Sequence, residues 1–140
     1  MKTKSLSEYE RLEKKANALR ELVEDLNSGK MALVVEGMRD RDALERVGIR
    51  PDIIFTPNGS PQRAAEQVSR KGFAKAAVLT DFDRRGELLV EDFASELNGY
   101  NVAPDTELRK RFNAILGLRF FEEAAAKAIE LDLRIRNSRR

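Results

Sequence analysis

Three short apolar runs, each followed by a polar turn and then an amphipathic segment, dominate the middle of the chain. The runs Met31–Val35, Ile53–Phe55 and Ala76–Thr80 are continuous rather than alternating. Continuous runs are typical of strands that are buried on both faces of a parallel sheet. Gly48 can end the first intervening helix, and Ser60 can cap the second. The pattern predicts a β–α–β–α–β–α unit with helices near residues 39–47, 61–70 and 86–97.

Helical periodicity appears again at both ends of the chain. Apolar residues recur at three and four between positions 6 and 26, and Ser7 with Glu10 can form a capping box. We predict a fourth strand at Tyr100–Ala103 and a frayed tail from Arg136 to Arg140. The expected organisation is one α/β domain over 1–140, with a central four-stranded parallel sheet. Its parts are a core at 31–103, an N-terminal helix at 6–28, and a C-terminal extension at 105–135 with helices near 106–114 and 120–135.

Histidine and cysteine are both absent from the 140 residues. Their absence excludes a Ser–His–Asp triad, a Cys–His pair, disulfides and zinc sites built on His or Cys. Any metal ligand or proton carrier must therefore be a carboxylate, a Lys, a Tyr or a hydroxyl. The charged N-terminus is unlike a signal peptide, and the apolar runs are far shorter than the ~20 residues of a membrane span. We therefore expect a cytoplasmic protein with no membrane partner.

Acidic residues follow the first and third predicted strands. Glu36 comes directly after the first strand, and Asp81 and Asp83 end the third. Ligands of parallel sheets gather outside the carboxyl ends of the strands, and residues two apart in extended chain project to the same side. If the two strands are neighbours, the three carboxylates meet, and their repulsion calls for a divalent cation or a proton. Oxygen ligands alone indicate Mg²⁺, with Mn²⁺ as a substitute.

The same carboxylates also have ordinary structural roles open to them. Asp83 can cap the following helix while Asp81 accepts a hydrogen bond from the loop. Glu36 can cap the next helix or pair with Arg39 or Arg84. The sequence alone leaves both interpretations open.

Glycines and basic residues beside the acidic motifs are candidates for phosphate binding. Gly37 and Gly86 lie at strand-to-helix turns, where the missing Cβ allows a phosphate to approach the backbone or simply permits the turn. Arg84 and Arg85 can bind phosphate oxygens or balance the local negative charge. Nine basic and four acidic residues lie between positions 109 and 140. This segment either grips nucleic-acid phosphates or forms a solvated helix face. The candidates for nucleic-acid contacts in this segment are Arg109, Lys110 and Arg111. The other arginines that could contact phosphate are Arg119, Arg134, Arg136, Arg139 and Arg140.

Taken together, the motifs resemble the Toprim domain of type IA topoisomerases, bacterial primases and small ribosomal-RNA maturation nucleases. The closest segment is Thr80–Glu87, which reads Thr-Asp-Phe-Asp-Arg-Arg-Gly-Glu, and Val34–Asp40 and Asn58–Ser60 also match. The resemblance covers roughly residues 31–100, and the size of the chain is similar to that of stand-alone archaeal Toprim proteins.

The resemblance implies a Rossmann-like three-layer fold, Glu36 as general acid or base, and Asp81 and Asp83 as Mg²⁺ ligands. Glu36 is a further candidate ligand. Two features depart from the family pattern. Arg85 stands where topoisomerases carry a third acidic residue, and no tyrosine-bearing cleavage domain is present, which argues against strand passage.

Three functions compete on this evidence. The first is Mg²⁺-dependent phosphoryl transfer on nucleic-acid phosphodiesters, with RNA favoured over DNA by the resemblance to the small nucleases. The second is a non-catalytic RNA- or ribosome-associated module that uses Mg²⁺ only to hold phosphate. The third, an aspartyl-phosphate phosphatase, is disfavoured because its motif normally follows the first strand and has Thr where Arg85 stands. Catalysis itself, the number of metal ions and the oligomeric state stay open.

Overall fold

The computed structural model describes residues 7–57 and 59–138. Within them, six α-helices and four strands alternate through most of the chain. Short 3-10 turns lie at Pro51–Ile53 and Phe121–Glu123. In chain order the elements are α1 (Glu8–Asn27), β1 (Ala32–Val35), α2 (Met38–Val47), β2 (Ile54–Phe55), α3 (Pro61–Arg70), β3 (Lys75–Leu79), α4 (Arg84–Gly99), β4 (Ala103–Asp105), α5 (Leu108–Leu116) and α6 (Ala124–Ser138).

The four strands form one parallel sheet in the order β2-β1-β3-β4. β1 pairs with β2 on one side and β3 on the other, and β4 pairs with β3. The strand that follows β1 in the chain, β2, therefore lies at one edge of the sheet, and the strand that follows β3, β4, lies at the other edge. The strand order reverses between β1 and β3, which is where open α/β sheets bind ligands. The predicted four-stranded parallel sheet is confirmed.

Helices cover both faces of the sheet and give it three layers. Leu33 and Val35 of β1 face a core built with α1, α2, α5 and α6. Ala32 and Val34 face the opposite way, into a core built with α3 and α4. All four β1 side chains are fully buried. This is why the strand reads as a continuous apolar run rather than an alternating one.

Helix ends follow the predicted signals closely. The hydroxyl of Ser7 accepts a hydrogen bond from the Glu10 N–H at 3.1 Å, and the Glu10 carboxylate accepts from the Ser7 N–H at 3.0 Å. The predicted capping box is therefore confirmed. Gly48 ends α2 with a φ of 117°, a left-handed conformation that favours glycine. Position 6, the first of the predicted N-terminal helix, lies outside the described residues.

Two predicted boundaries in the C-terminal half are wrong. The fourth strand begins at Ala103 instead of Tyr100, because α4 continues to Gly99 and Asn101 turns the chain with a φ of 61°. The helix α6 continues to Ser138, so the frayed tail predicted from Arg136 onward is wrong up to that residue. Positions 139 and 140 lie outside the described residues.

None of the helices within the described residues is long and apolar enough to cross a membrane. The cytoplasmic location stays a prediction.

Candidate metal and phosphate site

Glu36 lies at the carboxyl end of β1 and bridges to the neighbouring strand. Its Oε2 accepts a hydrogen bond from the Asp81 N–H at 2.7 Å. Its Oε1 lies 3.9 Å from Nη1 of Arg85, and the Glu36 side chain is only 13% exposed. Because β1 and β3 are paired strands, Glu36 and the acidic end of β3 lie side by side, as the sequence argument required.

Asp81 and Asp83 are each held by one backbone N–H. Oδ1 of Asp81 accepts from the Phe121 N–H at 2.8 Å, and Oδ1 of Asp83 accepts from the Gly86 N–H at 2.7 Å. Asp83 is the N-cap of α4. The capping and loop-bonding roles left open by the sequence are therefore both present. Within the described residues, the second oxygen of each Asp carboxylate accepts no hydrogen bond.

Asp40, which the sequence analysis did not select, also belongs to this acidic group. It is buried, and its Oδ2 accepts from the Gly37 N–H at 3.2 Å. Burial raises the pKa of Asp40 from 3.8 to about 6, and repulsion from Asp81, Glu36 and Glu122 adds to the rise. Burial, reinforced by the neighbouring carboxylates, thus makes Asp40 easier to protonate than an exposed aspartate.

Burial also raises the pKa of the Asp81 carboxyl, with further repulsion from Glu36, Asp83 and Glu122. The hydrogen bond from Phe121 acts in the opposite direction. The neighbouring negative charges therefore add to the cost of keeping the buried Asp81 carboxyl ionised. Such a site favours a proton or a bound cation.

The raised pKa of Asp40 predicts a pH-dependent effect of replacing it with asparagine. The folded chain binds the Asp40 proton more tightly than the unfolded chain does. The contribution of this group to stability is therefore full below pH 4 and is lost as the pH rises through about 6. Asp40→Asn should escape this loss, and should be more stable than the wild type at pH 8 by on the order of 2 kcal/mol.

Urea denaturation at pH 4 and pH 8 measures this effect. We expect nearly equal stabilities for Asp40→Asn and wild type at pH 4, and a clear gain for the variant at pH 8. Asp42→Asn, an exposed position on the same helix, is the matched control and should change little at either pH. A variant that is no more stable than wild type at pH 8 would refute the role of burial and repulsion at Asp40.

The two glycines predicted to bind phosphate already use their N–H groups. The Gly37 N–H donates to Asp40, and the N–H of Gly86 donates to Asp83. Gly86 is buried, and its carbonyl oxygen accepts from the Thr80 hydroxyl at 2.7 Å. These N–H groups are therefore already engaged within the protein, and phosphate binding at the two glycines stays a prediction. Arg84 and Arg85 are both exposed beside them, and stay candidates.

Arg109, which the sequence analysis selects as a nucleic-acid contact, is buried inside the protein. It is only 5% exposed. Its guanidinium donates to the carbonyl oxygens of Thr80 at 2.7 Å and Asp81 at 2.5 Å, and to the Glu87 carboxylate at 2.6 Å. The same group lies 4.2 Å from the centre of the Phe82 ring. Arg109 therefore fixes the end of β3 and cannot reach a nucleic-acid phosphate.

The other basic residues of the predicted segment differ from Arg109. Lys110 and Arg111 are exposed on α5, and Lys110 lies 3.4 Å from the Glu107 carboxylate. Arg119, Arg134 and Arg136 are exposed as well, while Arg139 and Arg140 lie outside the described residues. Exposure is compatible with phosphate binding and equally with a solvated surface.

An open cleft of about 260 Å³ borders Glu36 and Arg85. Its other walls come from the loop after β2, the start of α3 and the helix α4, through Pro57, Pro61 and Leu89 respectively. Asn58, part of the predicted middle loop, lies outside the described residues. The cleft leaves room for a ligand beside the carboxylate and the guanidinium.

The carboxylates of this site suit one mode of Mg²⁺ binding and not another. Among the described residues, no group of three or more Asp, Glu, His or Cys side chains is arranged closely enough to hold a metal ion. Mg²⁺ commonly keeps several waters, however, and binds through one or two carboxylates together with substrate phosphates. The oxygens of Asp81 and Asp83 that accept no hydrogen bond from the described residues fit that mode. A closed cage of three or more carboxylates from those residues does not fit the geometry.

Comparison with known proteins places the chain among archaeal relatives. A UPF0292 protein of Thermococcus gammatolerans is 39% identical over 95 residues, which cover 68% of this chain and 70% of the relative. A UPF0292 protein of Pyrococcus horikoshii is 34% identical over 110 residues, covering 79% of this chain and 76% of the relative. A solved structure described as a putative protein from Aquifex aeolicus superposes with a TM-score of 0.57 at 18% identity. It covers 85% of this chain and 99% of that chain, and supports the fold alone.

The predicted membership of the Toprim family is corrected by these findings. No family model matches the chain. The relatives carry the UPF0292 name, and the structural neighbour is not described as a Toprim protein. Short acidic and glycine motifs after parallel strands arise from the needs of the fold as well as from common ancestry, so they did not identify the family. By sequence identity and coverage, the chain belongs to the family of UPF0292 proteins.

Proposed function

We propose that this chain binds Mg²⁺, or Mn²⁺ in its place, at the carboxyl ends of β1 and β3 and acts there on nucleic-acid phosphodiesters. The carrying observation is the acidic surroundings of Asp81 at the carboxyl ends of β1 and β3, where the strand order reverses. The Asp81 N–H donates to Glu36, and both Glu36 and Asp83 repel the Asp81 carboxylate. The raised pKa of Asp81 supports a site that gains from a cation. The preference for RNA over DNA depends on the Toprim resemblance, which the relatives do not support, so RNA and DNA are both candidate substrates.

Each residue has a proposed role that agrees with its contacts. Asp81 and Asp83 would hold the ion through the oxygens that accept no hydrogen bond from the described residues. The exposed side chains of Arg84 and Arg85 would bind phosphate oxygens. Glu36 would move a proton to or from the attacking or leaving oxygen. The ion, when bound, would supply neutralisation of the negative charge that develops on phosphate.

A non-catalytic binding module is the second candidate. It is favoured by one observation, which is that all three carboxylates already accept hydrogen bonds from backbone N–H groups. Carboxylates held by backbone hydrogen bonds cannot change their positions during a reaction without breaking those bonds. Under this alternative, cation and arginines hold a nucleic-acid phosphate without cleaving it, and affinity falls steeply with salt.

Replacing the carboxylates of this site with amides removes their negative charge and keeps the hydrogen bonds that they accept. Asparagine and glutamine keep a carbonyl oxygen that can accept the same N–H bonds, and asparagine is as good an N-cap as aspartate. Asp81→Asn with Asp83→Asn, and Glu36→Gln alone, should therefore remain folded. Asp92→Asn, which removes a charge from an exposed position on α4, is the matched control.

Calorimetric titration with Mn²⁺ and Mg²⁺, together with cleavage assays on labelled RNA and single-stranded DNA, tests the proposal. We expect the double variant to lose metal binding, and Glu36→Gln to bind metal but lose cleavage. The control should behave as wild type. Metal binding without any cleavage would move the conclusion to the binding module. A wild type that binds no metal, or a double variant that binds equally well, would reject the cation site.

A further inference from the structure

Two large apolar side chains are exposed next to each other on α6. Among the described residues, Ile129 is 61% exposed and Leu133 is 50% exposed. They are four residues apart on one helix, so they lie on the same side, one turn from each other. Met38 and Leu88 are also exposed, at 57% and 64%, but each is alone on its helix. Single exposed residues need no explanation, whereas an adjacent pair forms a small apolar patch that a contact with a second molecule would cover.

A groove lies beside this apolar pair. It occupies about 540 Å³ between α2 and α6, and the small side chains Ala125, Ala126 and Ala128 form part of its floor. Val47 of α2 closes one side. Ile129 and Leu133 line the same groove, so the two large projecting side chains stand directly beside a hollow bounded by alanines.

We propose that α6 is the interface of a two-fold symmetric dimer formed with a second copy of this chain. In a two-fold contact the same surface is used twice, so a projection and a hollow on one helix can fill each other. With the helices antiparallel and Ile129 opposite its own copy, Leu133 meets Ala125 of the second copy, because the two positions are four residues to either side. The inference concerns assembly and goes beyond the proposed function.

The charged residues around α6 favour the same antiparallel alignment, with Ile129 opposite its own copy. Arg136 lies seven residues after Ile129 on α6, and Glu122 lies seven residues before it, in the 3-10 turn that leads into the helix. Each would therefore come near the opposite charge on the second copy. Their side chains are 68% and 45% exposed. The alternative alignment, with Ile129 opposite Leu133, would place Glu130 opposite Asp132 and is disfavoured by repulsion.

The present partners of these charges do not prevent the contact. Arg136 pairs with Asp132 at 2.9 Å, and Glu122 lies 3.8 Å from Arg39. All four side chains are exposed, and exposed ion pairs contribute little to stability. They can therefore exchange or share partners across an interface.

Sedimentation velocity over a concentration series tests the dimer with the full chain. We expect a wild-type dimer whose dissociation constant rises by about tenfold or more in Leu133→Asp. Leu88→Asp is the matched control, since Leu88 is equally exposed on α4, and it should leave the dimer intact. A wild type that stays monomeric, or a Leu133→Asp variant as dimeric as wild type, would overturn the proposal.

A cysteine at the proposed axis tests the alignment separately. The chain has no cysteine, so Ile129→Cys adds a single thiol that would face its own copy. Under mild oxidation we expect a disulfide-linked dimer for Ile129→Cys and none for Leu88→Cys. Equal cross-linking of the two variants would reject the proposed register and the interface with it.

Discussion

Replacing Gly86 with alanine is expected to lower the free energy of unfolding by about 3 kcal/mol, the upper part of the range for overpacked sites. A Cβ at this position would lie 1.8 Å from the carbonyl oxygen of Asp81 and 2.5 Å from its carbonyl carbon. Both atoms belong to the backbone, so no side-chain rotation can remove the clash. Gly86 is therefore needed because the first turn of α4 packs directly on the end of β3.

The Asp81 backbone has little freedom to move away. Its N–H donates to Glu36, and its carbonyl oxygen accepts from Arg109. The next residue, Phe82, donates its N–H to the Arg119 carbonyl oxygen at 2.8 Å. Relief of the clash would have to break contacts on several elements at once, which is why the expected cost is high.

Gly99→Ala is the matched control for this prediction. Gly99 lies in the same helix and has no neighbouring atom within 4 Å of the position of an added Cβ. Alanine there should be neutral or slightly stabilising, because it restricts the unfolded chain without a clash. Urea denaturation of both variants gives the comparison. A Gly86→Ala variant within about 0.5 kcal/mol of wild type would show that the loop adapts, contrary to the packing argument.

The sheet could be predicted from the sequence because its strands are buried on both faces. A strand such as β1, with no exposed side chain, leaves a continuous apolar run that few other elements produce. The sequence did not show that β1 and β3 are neighbours, so the meeting of Glu36 with Asp81 was conditional. The pairing depends on the path of the crossover connections, which local patterns do not encode.

Two residues that the sequence analysis overlooked or misjudged, Asp40 and Arg109, can be recognised from helical periodicity. Asp40 precedes the buried Ala43 and Leu44 by three and four positions, which places it on the inward face of α2. Arg109 precedes the buried Phe112 by three positions, in the same way. Arg109 is a nucleic-acid candidate by charge alone, and Asp40 is not selected at all, because neither is considered by its helical face. Glu122 left no such signal, because only the fold brings it close to the acidic ends of the strands.

Replacing Arg109 with methionine tests whether this residue belongs to the structure or to a nucleic-acid surface. Methionine retains much of the apolar stem but donates no hydrogen bond. The carbonyl oxygens of Thr80 and Asp81 would lose their guanidinium partner, and the Thr80 residue is fully buried. Each buried acceptor left unpaired costs about 1 to 3 kcal/mol. We therefore expect Arg109→Met to lose about 3 kcal/mol of stability.

Arg111→Met is the control, because Arg111 is exposed on the same helix two residues later and should change stability by less than about 0.5 kcal/mol. Urea denaturation and RNA binding, measured on both variants, separate the two roles. A structural Arg109 predicts a large loss of stability in its own variant alone. A phosphate-binding Arg109 predicts normal stability and weaker binding, with a smaller dependence on salt. That second result would contradict the buried placement of the guanidinium and return Arg109 to the candidate nucleic-acid surface.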